Sequence, residues 1–154
     1  MELDVQNELS DKQTLRATAV ASANAIDLGG LHYVSGYPAD AGNTDGDGRI
    51  QIAHRLGTKD MPFFCVVTTA FNSGITHIDV DFKVHTEDPG TRTNVGTVIA
   101  TQRMYSTTQG SQIPWPAIPR FVNARYFFLV FRPNAAPSAG AISAGFTAGM
   151  PSEL

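Results

Sequence analysis

Charge is what this 154-residue sequence has least of: 16% of its residues are charged, against roughly 25% in an ordinary domain. Eleven Lys and Arg stand against fourteen Asp and Glu for a formal net charge of −3, and the basic residues are scattered from Lys12 to Arg132 without forming a block. A nucleic-acid partner needs a concentrated basic footprint, so none is expected. The single cysteine, Cys65, excludes an internal disulfide. It sits in Phe63-Phe64-Cys65-Val66-Val67, where a free thiol serves as a small apolar core residue. No apolar run approaches the ~20 residues that cross a bilayer, and residues 1–20 lack the basic start and apolar stretch of a signal peptide. The expectation is a soluble chain without a membrane partner. Also missing are Gly-x-Ser-x-Gly, Gly-x-Gly-x-x-Gly, a P-loop and a cysteine with catalytic flanks. Neither enzyme activity nor a cofactor is expected. A surface so poor in charge points instead to areas covered by neighbouring subunits or a partner.

What the sequence does contain is periodicity of two. In residues 78–85, Ile78, Val80, Phe82 and Val84 fall on one face and Asp79, Asp81, Lys83 and His85 on the other, which predicts a half-buried strand. Ile142, Ala144, Phe146 and Ala148 alternate with Ser143, Gly145 and Thr147 in the same way. Residues 62–71 and 125–132 are apolar on both faces and read as central strands. Weaker strand candidates lie at 97–105 and 31–37, with one or two more in 16–28. Ser10-Asp11-Lys12-Gln13 has the spacing of a helix capping box, but Thr14, Thr18 and Val20 are poor helix formers. An extended segment with Leu15, Ala17, Ala19 and Ala21 on one face is preferred. Clusters of Gly, Asn, Asp, Pro and Ser separate these runs. The whole predicts an all-β chain: a jelly-roll-like antiparallel β-sandwich over residues 13–154, preceded by an extended N-terminal arm over 1–12. The arm carries Leu3, Val5 and Leu9 as isolated apolar points among Glu2, Asp4, Glu8 and Asp11. It is either a frayed end or a segment that orders on a neighbour.

Three patterns invite a chemical reading. Asn43-Thr44-Asp45-Gly46-Asp47-Gly48-Arg49-Ile50 resembles the start of a calcium-binding EF-hand loop, but the twelfth position holds His54 instead of a bidentate Glu, and no entering helix is possible. A plain surface loop is the expectation. His77, Asp79, Asp81 and His85 share one predicted strand face, yet the two histidines are on the order of 26 Å apart at ~3.3 Å per residue, too far for one ion. A solvated sheet face with no metal is expected there. Trp115, the only tryptophan, lies among Pro114, Pro116 and Pro119 on a stiff extended loop. It either covers the end of the sandwich or anchors a partner. The candidate interface residues are therefore Leu3, Val5, Leu9 and Trp115.

Leu9-Ser10-Asp11-Lys12-Gln13 followed by Ala17-Thr18-Ala19-Val20-Ala21-Ser22-Ala23-Asn24-Ala25-Ile26-Asp27-Leu28-Gly29 resembles the opening of the capsid cement, or decoration, proteins of short-tailed bacteriophages. Those proteins begin with a polar lead, a Ser-Asp-x-Gln step, an Ala/Thr/Ser-rich stretch and an Asn-x-Ile-Asp-Leu-Gly turn. Val66-Val67-Thr68-Thr69-Ala70-Phe71, the strand at 78–84 and Arg125-Tyr126-Phe127-Phe128-Leu129 are similar too. The sequence departs from the family at 37–59 and around Trp115. The resemblance implies a jelly-roll-like domain made in the host cytoplasm and carried on the outer capsid surface of the virion. There it would bind junctions between copies of the major capsid protein as a homo-oligomer, dimer or trimer, and stabilise the shell. The competing reading is a ligand-binding β-sandwich, such as a carbohydrate-binding or receptor-binding module using Trp115.

Overall fold

The computed structural model describes residues 8–27, 63–85, 93–113 and 126–146. They form eight strands and no helix: β1 Glu8–Thr14, β2 Val20–Ala21, β3 Ile26–Asp27, β4 Phe63–Thr69, β5 Ile78–His85, β6 Thr97–Met104, β7 Tyr126–Pro133 and β8 Ala141–Phe146. All pairings are antiparallel. One sheet has the order β1-β8-β4, the other β2-β7-β5-β6, with β3 also on β7. Residues 110–113 continue the first sheet beyond β4: Val67 N–H donates to Ser111 O (2.8 Å), Gly110 N–H to Val67 O (2.8 Å), and Val66 bridges Gln112. The chain thus visits the sheets in alternation, β1 in one, β2 and β3 in the other, then β4, the pair β5–β6, residues 110–113, β7 and β8.

Alternation of side chains explains how the sheets close on each other. Ile78, Val80, Phe82 and Val84 of β5 point inward and are 0–8% exposed, as their spacing requires. Four rings, one from each of four strands, join the sheets. Phe63 of β4 meets Phe82 of β5 edge-on at 5.2 Å, and Phe127 of β7 meets Phe146 of β8 at 5.6 Å. Phe63–Phe146 (5.2 Å) and Phe82–Phe127 (6.2 Å) complete the circuit. Such pairs add about 0.5–1.5 kcal/mol each to the burial of the rings. Cys65, Leu9, Leu15, Met104 and Ile142 fill the space around them.

The structure departs from the sequence-based expectations in several places. Residues 8–12 of the expected arm belong to β1, and Leu9 is fully buried in the chain's own core, because pairing with β8 turns it inward. The preferred continuous strand through residues 15–21 is not formed. The chain must leave one sheet after Thr14 and enter the other at Val20, so the crossing is irregular, with Leu15 buried and Arg16 Nη1 donating to Leu15 O and Gly140 O. The polar face of β5 is not solvated at its centre: Asp81 is 6% and Lys83 7% exposed. Their lateral neighbours on β7 are Val130 and Phe128, both buried, and Lys83 Nζ lies 6.0 Å from the Phe128 ring centroid and 3.3 Å from Thr93 O.

Candidate functional site

The segment 9–24, which overlaps the resemblance over Ser10 to Gly29, assembles into a hydrogen-bonded clasp between the two sheets. Ser10 Oγ donates to Gln13 Oε1 (2.6 Å), and the same oxygen accepts from Ala23 N–H (2.9 Å). Gln13 Nε2 donates to Ala21 O (2.7 Å), and Asn24 N–H to Leu9 O (2.9 Å). Gln13 and Leu9 sit on β1 of one sheet, and Ala21 on β2 of the other. These bonds therefore tie the two edge strands together along one side of the sandwich.

Ser22 explains why β2 and β3 are separate. Between Val20–Ala21, paired with Phe131 and Val130, and Ile26–Asp27, paired with Phe127 and Tyr126, the chain bulges away from β7. Ser22 N–H donates to Leu129 O (2.8 Å), while its Oγ accepts from Leu129 N–H (3.1 Å) and donates to Asn24 O (2.8 Å). One buried hydroxyl thus satisfies the backbone groups that the bulge would otherwise orphan. On the other side, β1 is itself irregular at Lys12 (φ 47°), whose N–H donates to Ser143 Oγ of β8 at 2.8 Å.

A second polar cluster lies on the outer face of the β5 sheet. Arg103 of β6 makes a bidentate pair with Asp79 (Nε–Oδ1 2.8 Å, Nη2–Oδ2 3.1 Å). Arg132 of β7 does the same with Asp81 (Nε–Oδ2 2.6 Å, Nη2–Oδ1 2.8 Å), and Thr101 Oγ1 adds a third bond to Asp81 Oδ1 (2.7 Å). For Asp79 the hydrogen bonds from Arg103 hold the carboxyl below its ordinary value against a smaller effect of burial. For Asp81 burial is the largest influence and pushes the pKa up, but the bonds from Arg132 and Thr101 and the charges of Arg132 and Lys83 together outweigh it, leaving the carboxyl low. Both carboxylates are committed to guanidinium partners on neighbouring strands. Among the described residues no group of three or more His, Cys, Asp or Glu side chains is placed to hold a metal ion.

Of the sequence-derived candidates, Leu9 lies in the core, while Leu3, Val5, Trp115 and the Asn43–Asp47 loop fall outside the described residues. Sequence reasoning missed the clasp, although Ser10, Gln13 and Ser22 were all in view: polar side chains spaced around a strand-to-strand crossing are the signal. Among the described residues no helix is long and apolar enough to cross a membrane. No protein-family model matches the chain, and no curated protein is detectably similar to it.

Proposed function

We propose that this chain is a structural virion protein that binds the outer surface of a phage head at junctions between major capsid proteins and stabilises the shell. The observation that carries this reading is the clasp. Within the segment that gives the resemblance to capsid cement proteins, Ser10 and Gln13 supply side chains that tie the two sheets together, and Ser22 supplies the hydroxyl that holds the bulge against β7. That side chains of the matching segment make bonds on which the fold depends supports reading the segment as a structural pattern. The order in which the chain visits the two sheets supports a jelly roll, an architecture of viral capsid domains as well as lectins and cupins.

A protein of this kind acts by mass action. Binding the assembled lattice and not its dissociated subunits stabilises the lattice by RT ln(1 + [L]/Kd), about 2.7 kcal/mol per site at a hundredfold excess over Kd. Icosahedral repetition then applies the same increment at every equivalent junction. The test is co-sedimentation with expanded, undecorated heads of the cognate phage. Stoichiometric, saturable pelleting is the expected result, with a raised temperature of head disruption. A chain that stays in the supernatant would refute the proposal.

A further inference from the structure

We propose that the outer edge of β6 is a self-association site, where β6 of a second copy of this chain adds antiparallel and joins the two β5–β6 sheets across a twofold axis. In the order β2-β7-β5-β6, β6 is terminal, and among the described residues its only strand partner is β5. Its far side therefore presents the backbone donors and acceptors that template another strand. The exposed large apolar side chains of the described residues are Val98 (48%) and Tyr105 (74%), and both belong to this edge, one on β6 and one immediately after it.

A second copy is the occupant that the charge distribution fits. Arg103 is the single charged residue of β6, and its charge is answered within its own chain by the bidentate bond to Asp79. Thr97, Thr101 and Gln102, the other polar residues of the strand, are neutral. Two such edges meet with no unbalanced like charges, whereas natural edges that must stay apart carry lysines, prolines or inward charges. The one irregularity, the unpaired Ile99 between Ala100 opposite Phe82 and Val98 opposite Lys83, lies in the first half of the strand and leaves Ala100–Met104 in unbroken register with β5. An antiparallel pair of identical strands is self-complementary, so the assembly closes at two copies.

This inference does not need the capsid reading, and it is tested without heads. Sedimentation equilibrium of the full chain is expected to show a monomer–dimer equilibrium. Backbone amides of residues 97–104 are expected to exchange with deuterium more slowly as protein concentration rises. Val98→Glu combined with Tyr105→Glu opposes like charges in the dimer, whereas within the monomer position 98 lies opposite Lys83, so the added acid meets a cation there. The double substitution is expected to raise the dimer dissociation constant about tenfold or more, with the thermal midpoint of the dilute protein unchanged. A chain that is monomeric at all accessible concentrations, or a closed trimer, would overturn the proposal. So would a dimer indifferent to the double substitution, or exchange of residues 97–104 that is independent of concentration. Protection of those amides only on phage heads would assign the edge to a capsid-protein strand instead. Failure to pellet with heads bears on the proposed function alone.

Discussion

Truncating Gln13 to alanine removes the centre of the clasp, and its cost follows from the bonds it makes. Gln13 Oε1 accepts from Ser10 Oγ and Ala23 N–H, and Nε2 donates to Ala21 O. The Ala23 amide is exposed and is rehydrated when its partner goes, so that bond contributes little. Ser10 is fully buried and loses the acceptor of its hydroxyl. Counting about 1 kcal/mol for each of the two part-buried bonds, and a further fraction for the orphaned Ser10 donor, gives about 2–3 kcal/mol. For a domain of this size that is a fall in Tm of about 5–10 °C. Thermal and urea unfolding followed by circular dichroism would measure it, with an unchanged m-value if the unfolded state is unaffected. Ser10→Ala in the Gln13→Ala background should cost less than Ser10→Ala alone, because the second change removes a hydroxyl that already lacks its acceptor. A Gln13→Ala loss under about 0.5 kcal/mol, or strict additivity of the two substitutions, would refute the clasp as a stabilising device.

Gly140 has φ 122°, and an added Cβ would clash with the Cγ, Cδ1 and Cε1 atoms of the Phe71 ring, so Gly140→Ala combines backbone strain with overpacking. A destabilisation above about 3 kcal/mol is expected, and a near-neutral result in urea titration would contradict the placement of this turn. Asp79 and Asp81 are both depressed in the folded state, so their contribution is complete above the ordinary carboxylate value of about 3.9 and is lost as pH falls below it through the folded values. Asp81→Asn should flatten that acid limb of a stability-versus-pH curve, and an unchanged limb would show that the pair does not titrate with unfolding. Cys65 is buried and its thiol is pushed up to about 12 by desolvation, so thiol reagents at pH 8 should label it only at the rate of opening. Rapid labelling of the native protein would contradict that burial.

The two-residue alternation in residues 78–85 and the apolar runs near 63–69 and 126–132 made those strands legible from sequence, since burial of one or both faces leaves its mark on every second residue or on all. Alternation could not distinguish a solvated face from a covered one. Asp81 and Lys83 are polar and yet buried, because guanidinium, hydroxyl and carbonyl partners arrive from residues 93, 101 and 132, which are remote in sequence. The alternation of β8 predicts a half-buried strand for the same reason. Its Ala141, Ser143 and Gly145 face is covered as well, which follows from its place between β1 and β4 and not from its own residues. The clasp was hidden because its meaning lies in the crossing between sheets, whereas a capping-box spacing at Ser10 to Gln13 is a local cue that tertiary pairing overrode.

β8 follows every other described strand in the chain and yet is the middle of its sheet, with β1 on one flank and β4 on the other. During vectorial synthesis the two flanking strands emerge first and have nothing to join them. Leu9, Phe63 and Cys65 stay without their cover until residues 141–146 slide between them and Phe146 closes the ring circuit. The nascent chain is thus held in a split, strand-exposing state until almost all of the described sequence is made, and the final insertion is the step at which aggregation and maturation compete.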